Sequence, residues 1–194
     1  MTLLVHRAVL GRLIALEDVR VRVLGDPVLR KVAAPVGFPP DEEARQTAAR
    51  LKAALAGCRR TLGFGRGIAA PQVGSSLRMI YTDTGDQRLL INPRVLHASE
   101  EAFELWDDCL SLPDLLVWVR RSKRVVLEYF DLSGTVKKWT VVDAEAELLQ
   151  HEMDHLDGFL MIDRATGRNA VYARSEYERQ KEENPDLGTV GPNR

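Results

Sequence analysis

The sequence predicts an α+β domain, and three observations predict it. Residues 41–62 and the stretch between Asp143 and Gly158 space their apolar residues as helices do. Between them lie short β-rich segments at 77–82, 89–92, 115–119, 125–129 and 136–142. Turn signals such as Asp83-Thr84-Gly85-Asp86 and Leu132-Ser133-Gly134 separate these segments, which suits antiparallel neighbours. Helix, several short strands, then helix is an α+β layout. The 194 residues, 45% of them hydrophobic, suffice for one domain with its own core.

Composition narrows the function classes. The 27 Lys+Arg balance 28 Asp+Glu to a net charge of −1, which gives no electrostatic reason to expect nucleic acid or a membrane surface as partner. No apolar run approaches the ~20 residues that span a bilayer. Two cysteines, Cys58 and Cys109, make no disulfide framework, so a reducing, cytoplasmic location is expected. Monomer and homodimer both suit this composition.

Taken in order, residues 1–18 form an uncertain N-terminal extension, apolar with Arg7 and Arg12 and without a secretory cleavage pattern. Residues 19–24 alternate and read as a short strand ended by Gly25-Asp26-Pro27. Residues 29–36 then run into a loop at 37–40. In the helix at 41–62, Ala44, Ala48, Leu51 and Leu55 make the buried stripe, with Cys58 a small core residue. Residues 63–74 are too glycine-rich for an ordinary strand, so backbone must come close to something there. The stretch lacks the Lys-Ser/Thr that closes a phosphate loop. His97 reads as a surface turn. Near the end, 169–183 reads as a charged C-terminal helix and 184–194 as a flexible tail.

The chemistry concentrates in Gln150-His151-Glu152-Met153-Asp154-His155. Residues four apart share a helical face, so His151 and His155 stand at a spacing that lets two imidazoles hold one metal ion. Glu152, on the adjacent edge, is placed to move a proton for a water at that metal. Asp143 is the expected N-cap, Glu145 and Glu147 suit the positive end of the helix dipole, and Gly158 is a natural stop. Leu149, Met153 and Leu156 are placed to pack this helix on a sheet. The plainer alternative is a core helix with two incidental histidines. With only four histidines in the chain, two of them around a glutamate, the metal reading is preferred. Catalytic sites of this kind take a third protein ligand. His97 and His6 are weak candidates; Cys109, in Asp107-Asp108-Cys109-Leu110-Ser111, is better, although on its own that loop suits an inert buried cysteine equally well.

Three stretches in order, Gly65-Arg66-Gly67-Ile68-Ala69-Ala70-Pro71-Gln72, Asp107-Asp108-Cys109-Leu110-Ser111 and Gln150-His151-Glu152-Met153-Asp154-His155, resemble the motifs of the peptide deformylases. The resemblance covers roughly 20–165. It implies short antiparallel strands packed around a central metal-binding helix, with helices near both ends and a catalytic domain at 19–168. It implies one divalent metal ion on Cys109, His151 and His155, Fe(II) natively, with zinc, nickel or cobalt able to take its place. Glu152 would carry the proton, and Gln72 with the Leu110 backbone N–H would stabilise the oxyanion. Gly67 and its neighbour Ile68 would meet an extended peptide. Arg121 would brace Asp154 or Asp107. The implied reaction hydrolyses N-formylmethionyl peptides to formate and a free amine, with action close to the ribosome permitted.

Four positions depart from that pattern. Asp107 replaces a glutamate, Asp108 a glycine, and Arg66 and Glu147 stand at aliphatic positions. Lone buried charges are costly, so Arg66 and Glu147 are expected to pair or to reach water. If all four face substrate, the pocket is more polar than usual. An amidase for a small or polar formamide is then an alternative, and an inactive metal-binding paralogue a second one.

Overall fold

The computed structural model describes residues 19–191; the extension at 1–18 lies outside the described residues. Helix α1 spans Glu42–Leu62. It starts where the Asp41 side chain accepts the Ala44 N–H at 2.9 Å and stops at Gly63 in the left-handed conformation. The strands follow as β1 Gly67–Ala69, β2 Met79–Asp83, β3 Gln87–Ala98, β4 Ala102–Asp108, β5 Leu115–Ser122, β6 Arg124–Phe130 and β7 Val136–Val142. Helix α2 spans Asp143–Leu156, strand β8 Val171–Ala173, helix α3 Arg174–Glu183 and the single turn α4 Leu187–Val190.

All strand pairs are antiparallel and fall in two sheets, β1-β2-β3-β6-β7 and β4-β5-β8. Alternation along β2 and β3 sorts the core. Met79, Tyr81 and Ile91 meet Leu51 and Leu55 of α1 on one face of the larger sheet. Ile80, Leu90, Leu127 and Val141 meet Leu149, Met153 and Leu156 of α2 on the other. The expected apolar stripe of α2 is therefore real, and its opposite side turns to the smaller sheet. That sheet has its own cluster of Cys109, Val117, Val119, Leu160 and Met161. Helix α2 is thus held between two sheets, by apolar packing on one side and by polar groups on the other.

Several local expectations are corrected. Residues 19–24 form no strand: Val19 and Val21 are buried, but among the described residues the backbone makes scattered bonds and no ladder, Arg22 N–H to Gln72 O, Leu24 N–H to Ser111 O and Asp26 N–H to Val23 O. The alternation recorded one-sided burial without a ladder to join. Strand β3 runs well past 92, and His97 pairs with Val126 inside it instead of sitting in a turn. Strands β4 and β8 were not anticipated. β8 takes the place of the first turn of the expected 169–183 helix, which begins at Arg174. Asp143 is not the N-cap; it is the first helical residue, at a positive φ of 50°, with no side-chain cap bond. The part of the 184–194 tail that is described is docked, since Leu187 is buried and its carbonyl accepts the Trp106 indole N–H at 2.8 Å. Among the described residues no helix is long and apolar enough to cross a membrane.

Candidate active site

Three segments deliver the polar groups. The end of β4 and the turn after it present Asp107, Asp108, Cys109 and Leu110; the polar side of α2 presents His151, Glu152 and His155; a short helical turn at Ala70–Val73 presents Gln72. Ligand atoms of Cys109, His151 and His155 all lie within 4.8 Å of one another, and all three residues are buried. Cys109 Sγ is 3.2 Å from His155 Nε2. The two imidazoles stand nearly edge to face, centroids 4.9 Å apart. One thiol and two imidazoles converging at this range fit a single divalent ion with a coordination position to spare.

Behind these donors runs a chain of charges. His151 Nδ1 meets Asp107 at 2.9 Å, which turns Nε2 of the same ring toward Cys109 and His155. Asp107 also accepts from Arg121 Nη2 at 2.9 Å, and Arg121 Nη1 reaches Asp154 at 2.6 Å. Asp154 in turn accepts from Arg164 at 2.7 Å. Arg121 is buried and braces both acids it was expected to choose between. Asp107 was expected to face substrate, but it lies behind the histidine, and its side chain is committed. Burial alone would raise its carboxyl, yet His151 and Arg121 outweigh burial and hold it down at about 2. Asp107, Glu147 and His151 also cluster, but their charges already have partners in Arg121, Arg66 and each other.

In front of the donors opens a cavity of about 500 Å³, with His151, Glu152 and Gln72 on its wall. Glu152 is buried, its Oε2 has no hydrogen-bond partner among the described residues, and burial pushes its carboxyl up to about 7. The Gln72 amide is fixed, with Oε1 accepting the Ala69 N–H at 2.8 Å and Nε2 donating to Ser111 Oγ at 3.2 Å. Its NH₂ group is thereby turned toward Cys109. Leu110 lines the same cavity.

The glycine-rich stretch has a physical cause. A Cβ on Gly67 would lie 2.9 Å from Glu152 Oε1 and 3.1 Å from Leu148 Cδ1, so glycine lets helix and strand close together. Ile68 is corrected as a substrate contact, because its side chain is fully buried among α1 and β2 residues. Arg66, Glu147 and Asp108 do line the cavity. Arg66 Nη2 donates to Glu147 at 2.5 Å, which realises the expected pairing. Asp108 pairs at 3.3 Å with Arg174, whose guanidinium lies over the Phe64 ring. Arg164 and Arg174 were missed, because each acts on the site through a partner outside its own segment and no local spacing marks them. Ser111, quoted within the second motif, had been given no role, and it holds Gln72 Nε2 and donates its N–H to Cys109 Sγ.

A buried thiol and two imidazoles that converge behind a cavity, with an unpaired glutamate on its wall, define a metal-dependent hydrolase of linear amides. A family model described as polypeptide deformylase matches residues 19–170. The chain is 40% identical over 146 residues to a peptide deformylase of Dictyoglomus thermophilum, covering 75% of this chain and 91% of that one. Its fold is similar to the crystal structure of peptide deformylase from Thermotoga maritima, with a TM-score of 0.69, 37% identity, and coverage of 77% of this chain and 98% of that one. It is also similar to a Met-Ala-Ser-bound class I type b peptide deformylase from Acinetobacter baumannii, with a TM-score of 0.69, 29% identity, and coverage of 77% and 99%. The chain belongs to the peptide deformylase family.

Proposed function

We propose that this chain, through a catalytic unit at 19–168, removes the formyl group from N-formylmethionyl peptides and releases formate and a free amine. The observation that carries the reading is the unpartnered Glu152 carboxylate on the cavity wall, beside three converging donors and the fixed Gln72 amide. Cys109, His151 and His155 hold one divalent ion, Fe(II) in the native protein. When bound, the ion supplies Lewis acidity, which polarises a formyl carbonyl and raises the nucleophilicity of water.

Glu152 takes the proton of the attacking water and delivers it to the departing nitrogen. Gln72 Nε2 and the Leu110 N–H donate to the oxygen that gains charge as the formyl carbon turns tetrahedral. Asp107 keeps His151 in the tautomer that presents Nε2, and Arg121 keeps Asp107 ionised. The peptide lies extended along β1, whose second edge pairs with no strand among the described residues; Gly67 offers its N–H and C=O groups there. The Met-Ala-Ser bound by the Acinetobacter protein is a peptide of this length and kind. Two free, buried cysteines suit work in a reducing cytoplasm, near the ribosome, as monomer or homodimer.

Formate release tests the reading. Protein loaded anaerobically with Fe(II), and separately with Ni(II), is given formyl-Met-Ala-Ser, with Glu152→Ala as control. Turnover lost in the control supports it. No turnover with one ion bound per chain refutes it.

A further inference from the structure

The cavity carries an ion pair that the hydrolysis does not use. Arg66, in the turn before β1, donates from Nη2 to Glu147 Oε2 at 2.5 Å and from Nη1 to the Ala144 carbonyl at 2.9 Å. Glu147 is buried and lies four residues before His151 on α2, about 6 Å along the axis. Both line the cavity with the apolar Phe64, Leu110 and Leu148.

A guanidinium has five N–H donors. Glu147 and Ala144 take two, and five less two leaves three without a protein partner among the described residues. The cavity's other arginine is held more fully, since Arg59 bonds Gly65 and Asp83 through all three of its nitrogens and by the same count keeps two N–H groups. Arg66 has the more donors to offer, and it is the one paired to α2 beside His151.

In a formyl peptide the first side chain branches from the carbon bonded to the formyl nitrogen. With the formyl carbon held at His151 and Glu152, that side chain lies within about one helical turn of the Arg66–Glu147 pair. An aliphatic side chain there strips water from the free N–H groups and gives nothing back. A side chain ending in an acceptor replaces that water. The geometry points to Arg66, braced by Glu147, as the residue that sets specificity for the first side chain, favouring long unbranched chains that end in a hydrogen-bond acceptor. A thioether is a weak acceptor, whereas its sulfoxide is polar and glutamine carries a carbonyl at similar length. The inference rests on the deformylase reading; the substrate class it adds is peptides that begin with N-formylmethionine sulfoxide.

The test compares kcat/KM for formyl-X-Ala-Ser, where X is norleucine, methionine, methionine sulfoxide or glutamine. Norleucine matches methionine in length and has no acceptor. The native protein is set against Arg66→Ile/Glu147→Ile, which removes both charges together. The sulfoxide-to-norleucine ratio is expected to fall by about tenfold in the double variant. Dissociation constants of the deformylated products shift in the same sense. If the double variant does not fold, Arg66→Lys, which keeps a charge opposite Glu147, lowers the ratio part of the way. An unchanged ratio in the variant that folds overturns the inference and leaves the deformylase reading standing. No turnover of any of the four peptides by the native protein overturns both.

Discussion

Gly67 and Glu152 touch: a Cβ on the glycine would come within 2.9 Å of the glutamate Oε1. The first strand of the larger sheet and the metal-site helix are thus in register at the atom proposed to carry the proton. Gly67→Ala is expected to push the carboxylate aside and lower kcat by roughly 10- to 100-fold, since misplacement of about an ångström costs that much. Metal content, read by elemental analysis, should not change. Full activity in this variant would show that Glu152 does not work from its observed position.

Arg121 lies between two buried carboxylates, and removing it leaves Asp107 with His151 alone and Asp154 with Arg164 alone. Arg121→Met is expected to lose about 3–5 kcal/mol of stability in urea unfolding, the usual result of breaking a buried pair from one side. Because Asp107 orients His151, metal affinity should also drop by roughly 10- to 100-fold. A variant with native metal affinity would separate the charge chain from the site it backs.

Burial pushes the Cys58 thiol up to about 11, against a usual value of 9.0. A raised folded value means stability that is complete below the unfolded value and is lost as pH rises toward the folded one. Between about pH 9 and 11 the native protein should therefore lose at most about 2–3 kcal/mol that Cys58→Ala does not lose. Unfolding free energies of both proteins at pH 8 and pH 10 give the comparison; parallel curves would contradict it.

Metal removal should abolish turnover and lower the melting temperature, because an ion that binds only the folded chain stabilises it by about 2.7 kcal/mol at a hundredfold excess over its dissociation constant. Ni(II) should restore both. Cys109→Ser should show neither the loss nor the recovery, and a full metal-dependent shift in that variant would remove Cys109 from the ligand set.

Arg174 joins α3 to the Asp108 turn and covers Phe64 at the cavity. Both partners are partly exposed, so Arg174→Ala should cost less than about 1 kcal/mol. KM for formyl-Met-Ala-Ser should rise several-fold with kcat nearly constant. A fall in kcat alone would place Arg174 closer to the chemistry than its contacts suggest.

What the sequence made legible follows from the range of each interaction. The α1 stripe, the α2 face and the His-Glu-x-x-His spacing are periodic over a few residues, and the structure keeps them. Arg121 was placed through family likeness, and even so its partner remained a choice of two; the structure gives it both. Residues 19–24 failed because alternation reports burial on one side and cannot report whether a neighbouring strand exists. Strand β4, with Phe103 and Leu105 alternating before Trp106, carried a signal that was passed over for the cysteine beyond it. Asp107 and Ile68 were misassigned for one reason. Sequence tells which residues stand near a site, and not which way their side chains turn.

The metal-site helix meets its two sheets by different means, oily residues toward one and the Asp107–Arg121–Asp154 charges toward the other. The two contacts should drift differently over evolutionary time. On the oily side Leu149 or Leu127 can trade volume with a neighbour one substitution at a time. On the charged side no single exchange is neutral, because each leaves an orphan charge sealed inside. Descendants of this chain should therefore vary freely along the first seam and inherit the second as a block.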